Sequence, residues 1–150
     1  MIIKNKGEFL LKISSLSIFR ALGMDYGLTK IGFSIYYSKF KIVIPLATFL
    51  KRDNFFKNFN NLIYKYKINA LIISKSVKTT KSLIQIKELE IFVKYYLKCN
   101  NLPIIYSNEE YTTFLASDLL QQFHLKRLDR NVHTDLVSSF VLLNNFFNLL

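Results

Sequence analysis

Ten acidic residues stand among 150, so where each one falls carries information. Asp25 closes a short apolar run, Ala21-Leu22-Gly23-Met24. Glu109 and Glu110 follow a second run, Ile104-Ile105-Tyr106, and Asp135 opens the last apolar stretch of the chain. A carboxylate at the tip of an apolar strand is partly desolvated, which is unfavourable unless a cation or a hydrogen-bond donor satisfies it. Several such tips at one sheet edge make a cage of hard oxygen ligands suited to Mg²⁺ or Mn²⁺. Taken singly, each acid reads more simply as a turn-former or a helix cap. The three together, Asp25, Glu109 and Asp135 at the ends of successive elements, point to metal chemistry. One cysteine, Cys99, and two histidines, His124 and His133, are too few soft ligands for a structural zinc site.

The elements that must hold these acids can be read from periodicity. After Ala21 to Met24 and the turn-prone Tyr26-Gly27, residues 31–37 resume an apolar, β-rich pattern, which predicts a hairpin of two strands with residues 41–49 as a third. Residues 53–67 carry Phe55, Phe56, Phe59, Leu62, Ile63 and Tyr66 at helical spacing, with Asp53 as the expected N-cap. Leu71-Ile72-Ile73 is a short strand apolar on both faces, the kind buried within a parallel or mixed sheet. Residues 79–98 then predict a long helix, 103–106 a further strand, 112–123 a helix and 135–149 a final apolar helix. A hairpin and third strand followed by alternating helix and strand imply a mixed α/β sheet with helices on both faces. In such sheets ligands gather outside the carboxyl ends of the strands.

Neither a repeat nor a Pro/Gly/Ser linker divides the chain, and at this length folding buries roughly 70% of the unfolded surface, so one domain with a proper core is expected. The hydrophobic fraction is 51% and the mean hydropathy +0.19, yet no uninterrupted apolar stretch approaches the ~20 residues that cross a bilayer. A soluble globular protein with no membrane partner is the reading. Twenty-one Lys and Arg against ten acids give +11, a field that attracts polyanions such as nucleic acid. Abundant Lys, Asn, Ile, Phe and Tyr with scarce Ala, Gly and Arg are also what AT-rich codons produce, so function and codon drift share the excess. A lone cysteine suits a reducing, cytosol-like compartment. Residues 1–20 place Lys4, Lys6, Lys12 and Arg20 around a Ser-rich apolar middle, a faint likeness to an organellar transit peptide against which Glu8 and the lack of a cleavage signal speak. The expectation is an N-terminal arm or helix over 1–20 packing on a domain at 21–150, in a bacterial cytoplasm, with organellar import left open.

Three blocks carry a family resemblance. Leu22-Gly23-Met24-Asp25-Tyr26-Gly27-Leu28-Thr29-Lys30-Ile31-Gly32 resembles the opening motif of the YqgF/RuvX family, in which Gly-Ile-Asp-Tyr-Gly precedes a Thr- and Lys/Arg-containing turn and then Ile-Gly. Residues 103–113 resemble its strand plus Asp-Glu-Arg-aromatic-Thr-Thr block, and residues 133–143 its closing Asp-x-x-Ala-Ala-x-x-Leu helix. The resemblance implies a ribonuclease H-like fold and a nuclease that matures the 5′ end of pre-16S rRNA, with pre-rRNA and the ribosomal small-subunit precursor as partners. The alternatives are a junction-resolving endonuclease on branched DNA, or a decayed domain that holds RNA or ribosome without cutting.

Transferred residue by residue, the family's acidic site falls on Asp25, Glu109 and Asp135 as Mg²⁺ or Mn²⁺ ligands. Gly27, Lys30, Thr112 and Thr113 fall at its substrate-facing positions. In-line hydrolysis of a phosphodiester needs an activated water and positive charge at the leaving oxygen, which two metal ions supply. Gly27 and Gly32 are expected to permit a tight turn and a close backbone approach to phosphate, and Lys30 to place a point charge on it. Ser138 and Ser139 replace the family's paired Ala and are small enough to let the last helix lie close to the sheet and bring Asp135 into reach. Two departures stand out: the family's strand-end Gly-Leu-Pro is Ser74-Lys75-Ser76 here, and its Asp-Glu-Arg is Asn108-Glu109-Glu110, which removes a bidentate phosphate partner.

Overall fold

The computed structural model describes residues 1–27, 29–52, 54–74, 80–107 and 127–149. Among them run β1 (Ile2–Ile3), α1 (Lys6–Ser14), β2 (Arg20–Tyr26), β3 (Lys30–Tyr37), β4 (Ile42–Leu50), α2 (Phe55–Tyr66), β5 (Ala70–Ser74), α3 (Thr80–Cys99), β6 (Ile104–Ser107) and α4 (Arg127–Phe146). The expected helix over 112–123 lies outside the described residues. No helix of the described residues is long and apolar enough to cross a membrane.

The six strands form one sheet in the order β1-β6-β5-β2-β3-β4. β2, β5, β6 and β1 run parallel, while the hairpin strand β3 is antiparallel to both β2 and β4. The chain therefore leaves β2 in one direction for β3 and β4 and returns on its other side as β5. That reversal makes the carboxyl ends of β2 and β5 a topological switch point, where ligand sites of open α/β sheets form. β4 closes the sheet as an edge strand. Its register shifts opposite Phe33 and Ser34, which pair with Ala47 and Pro45; proline has no amide to donate and is tolerated at such an edge irregularity.

Side-chain alternation divides the core into two layers. Leu22, Met24, Ile31, Phe33, Ile35, Leu71 and Ile73 face α2 and α3, whose Phe59, Leu62, Ile63, Leu89, Phe92, Val93 and Tyr96 cover them. Ala21, Tyr36, Ala70, Ile72 and Ile105 face α1 and α4 with Phe9, Ile13, Leu142, Leu143 and Phe146. β5 is buried along its whole length, as its unbroken apolar run requires.

The structure departs from the sequence expectations at three places. Two residues cannot show periodicity, so β1, paired with β6 through Ile2 and Ile3, is not legible in the sequence; the stretch before Arg20, expected as an arm or a helix, also contains α1. α2 is capped by Asn54 in the left-handed region at φ 74°, a conformation asparagine tolerates; Asp53, expected in that role, lies outside the described residues. The last helix begins at Arg127 rather than at Asp135, because its first two turns are largely polar and carry no apolar stripe. Asp135 is therefore interior to the helix, about 12 Å along it at 1.5 Å per residue, and does not act as its cap.

Candidate active site

Along α4, Asp135, Ser138, Ser139, Leu142, Leu143 and Phe146 recur at helical spacing and share one face. Leu142, Leu143 and Phe146 are buried in the α1/α4 layer, Ser138 and Ser139 are fully buried, and Asp135 heads the same stripe at the carboxyl edge of the sheet. The helix follows β3. Gly32 meets the backbone of Asp135, Ser34 shares a 2.7 Å hydrogen bond with Ser139, and Tyr36 stacks on Phe147 with centroids 3.8 Å apart. Ser139 also donates to the Leu136 carbonyl at 2.7 Å, so its buried hydroxyl is satisfied by the protein itself.

Gly32 decides how close the helix comes. A Cβ built on it would fall within the Asp135 carbonyl group and 2.7 Å from the Leu136 nitrogen. In the β2/β3 ladder Gly32 is the partner of Asp25, and cross-strand partners present their side chains on the same face. The missing side chain at 32 is thus the space through which α4 brings Asp135 beside Asp25. Gly27 adds to this: its Cβ would stand 2.6 Å from the Lys30 carbonyl and 3.2 Å from Asp135 Oδ1. No described glycine has positive φ, so the role visible for Gly27 and Gly32 is close packing around Asp135 and not a left-handed turn.

From the other side, the parallel register that sets Met24 beside Ile73 puts Ser74, the last residue of β5, next to Asp25. Its hydroxyl donates a 2.6 Å hydrogen bond to Asp25 Oδ1. Burial pushes the Asp25 carboxyl up to about 6, against the Ser74 hydrogen bond that holds it down, and the nearby Asp135 charge raises it further. The buried Ser138 hydroxyl pulls weakly the other way while completing no hydrogen bond of ordinary geometry among the described residues. Asp135 is raised too, by burial, with the Lys30 ammonium opposing. Lys30 thus stands where its charge reaches the site.

The structure brings Asp25, Asp135, Gly27 and Lys30 together and adds Ser74, which in the sequence stands out only as a departure from the family pattern. A hydroxyl ending an apolar strand parallel to β2 was the available signal. Glu109, Thr112 and Thr113 lie outside the described residues, so two carboxylates meet among those described. β6 ends at Ser107, in register with Ser74, two residues before Glu109 in the chain. The donor set fits a hard divalent cation. Two half-buried carboxylates repel one another, no described Lys or Arg forms an ion pair with Asp25, and the Ser138 hydroxyl beside them lacks a full hydrogen bond; a cation would relieve all three.

A mixed sheet sandwiched between helices, with paired acids on the first long strand and the last helix, defines a ribonuclease H-like domain. Solved structures agree on that fold. The fowlpox virus Holliday junction resolvase superposes with a TM-score of 0.55 at 15% identity, covering 88% of this chain and 100% of the other. The T. thermophilus RuvC in complex with Holliday junction substrate does so at 0.51 and 11%, covering 87% and 95%. Within that class residues 19–149 match the family described as RuvX, Holliday junction resolvase, and the chain belongs to it. Relatives bearing the name "Putative pre-16S rRNA nuclease" include one from Mycoplasma mobile, 34% identical over 140 residues that cover 86% of this chain and 92% of its own. Another, from Rickettsia africae, is 31% identical over 147 residues covering 95% and 94%.

Proposed function

We propose that this protein is a nuclease dependent on Mg²⁺ or Mn²⁺ that trims the 5′ end of pre-16S rRNA during assembly of the ribosomal small subunit, in the cytoplasm. The observation that carries the reading is the pair Asp25 and Asp135, half-buried and close enough for their charges to couple at the carboxyl edge of the sheet where β2 meets β5. Asp25 and Asp135 would hold the metal, with Glu109 as third ligand. When bound, the metal supplies an activated water on one side of phosphorus and positive charge at the leaving oxygen. The chain's own residues do the rest. Ser74 fixes the orientation of the Asp25 carboxylate through Oδ1. Gly32 and Gly27 let α4 and the β2–β3 turn pack closely around Asp135 and hold its carboxylate near Asp25. Lys30 adds a positive charge on the approach, and Thr112 and Thr113 supply hydroxyls to the substrate. The names carried by the curated relatives favour precursor RNA over branched DNA as substrate.

Cleavage with Mn²⁺ of a precursor 16S fragment and of a four-way DNA junction, by the native chain and by Asp25→Asn, tests this. The expected result is metal-dependent cleavage of the RNA at its 5′ side, lost in the variant. Cleavage of the junction alone would assign the site to resolution, and equal cleavage by Asp25→Asn would remove Asp25 from it.

A further inference from the structure

At the same edge of the sheet as Asp25, but on its opposite face, lies an open cleft of about 370 Å³, within the usual range of ligand pockets. Tyr26 follows Asp25 and, by strand alternation, points to the α2/α3 side. There it lines the cleft with Phe55 and Phe56 of α2 and Phe92 of α3, and Lys51 and Arg52 come in from the connection between β4 and α2. The cleft is held in shape. Lys51 Nζ stands 3.8 Å from the centre of the Tyr26 ring and 2.9 Å from a Glu88 carboxylate oxygen, tying that connection to α3. Phe56 lies nearly parallel to Phe92 at 5.5 Å and edge-on to Tyr95 at 4.9 Å.

Despite these contacts Phe56 remains 41% exposed, and Ile91 at the rim 68% exposed. Aromatic and aliphatic surface of fixed geometry therefore stays open to solvent at the mouth of the cleft. Arg52 stands exposed beside it.

We propose that this cleft receives one unpaired base of the nucleic-acid strand whose backbone passes the acidic site, the base stacking on Phe56 and its phosphate meeting Arg52. The inference rests on the nuclease reading above. Three observations select this occupant. Aromatic faces beside a cation are the common grip on single strands, since every base has a π-face and every link a negative charge. The chain carries +11, which draws a polyanion and opposes a second copy of itself bringing the same charge to a basic rim. Finally, the floor of the cleft is Tyr26, the neighbour of Asp25, so a strand crossing the sheet edge can reach both.

The test is equilibrium binding in EDTA, where cleavage is silent, read by fluorescence anisotropy with the full chain. A short single-stranded oligoribonucleotide, its abasic counterpart and its blunt duplex are compared across the native chain, Phe56→Ala, Phe56→Trp and Ile91→Asp. Phe56→Ala and Ile91→Asp are expected to weaken the single strand at least about fivefold, in line with ~1–3 kcal/mol for a stacked base. Phe56→Trp should keep the affinity, and neither the duplex nor the abasic strand should distinguish the proteins by more than about twofold. Unchanged single-strand affinity in Phe56→Ala and Ile91→Asp overturns the proposal, as does equal loss on the abasic strand. A dimer in sedimentation that Phe56→Ala dissolves overturns it as well, by giving the cleft to a second copy. Each of these results leaves Mn²⁺-dependent cleavage intact. A native chain that binds no nucleic acid and cuts none overturns the nuclease reading too.

Discussion

The two faces of the sheet are built on opposite plans. On the α2/α3 side large side chains fill a thick layer in which Phe59 alone meets Phe33, Phe92 and Tyr96 at centroid distances of 5.8, 5.2 and 5.1 Å. On the α4 side, near the acids, the layer is Gly23, Gly32 and Ser34 of the sheet against Ser138 and Ser139 of the helix, with Leu143 over Gly23. The first plan maximises buried apolar area and supplies stability. The second gives up that area so that a helix backbone can touch a strand, which fixes the separation of two side chains, one on each element, and puts polar atoms in a dry space. Stability and site are thus assigned to different faces of one sheet.

The comparison can be broken most severely by excavating the thick side. Phe59→Ala should cost about 3–5 kcal/mol in chemical denaturation, because a rigid ring packed on four others leaves a cavity. Where the variant is still folded, its Mn²⁺ affinity should match the native chain, since no part of the acidic site is touched. Gly32→Ala attacks the thin side. Its Cβ meets backbone and not a flexible side chain, so α4 must shift, at or near the ~3 kcal/mol upper end of ordinary overpacking. Unlike Phe59→Ala, it should also lower Mn²⁺ affinity by tenfold or more at temperatures where the protein remains folded. A Gly32→Ala protein that loses stability but binds Mn²⁺ normally would separate the glycine from the placement of Asp135.

A smaller effect, of opposite sign, concerns the charge buried on the thin side. The folded protein keeps the Asp25 proton up to about 6, against the usual 3.8, so between those pH values the folded state binds more protons than the unfolded one. Linkage then requires stability of the metal-free protein to fall as pH rises from about 4 to about 6 and to level off above. Asp135, raised by burial, adds in the same direction. Asp25→Asn removes the ionisation and can still accept the Ser74 hydrogen bond. Its melting temperature at pH 7.5 should exceed that of the native chain by a few degrees, about 1 kcal/mol, and its pH slope in that window should be shallower. Identical slopes would show that Asp25 titrates normally.

Much of this architecture is legible in the chain. The alternation around Phe33 and Ile35, the unbroken run Leu71-Ile72-Ile73 and the helical spacing from Phe55 to Tyr66 each fix an element because burial on one face or both leaves a period. Asp25 and Asp135 stand out in the sequence from their places beside apolar runs, and the family resemblance falls on the same residues. What could not be read was the means of bringing them together. Gly32 looks like a turn residue until the register places it opposite Asp25 and under Asp135. Ser74 is one serine among many until parallel pairing sets it beside Asp25. The early start of α4 is hidden because polar turns of a helix carry no stripe. Each depends on contacts between residues far apart in sequence, whereas periodicity reports only on neighbours.

On the proposed reading, Asp25 and Asp135, joined across the thin layer, form one cation site. Calorimetric titration of Mn²⁺ into the native chain, Asp25→Asn and Asp135→Asn at pH 7.5 tests it most directly, with thermal melts of each protein alongside. Each substitution alone is expected to weaken Mn²⁺ binding at least about tenfold, a change of ~1.4 kcal/mol, while neither lowers the melting temperature of the metal-free protein. Native-like Mn²⁺ affinity in either variant, with the fold intact, would contradict it.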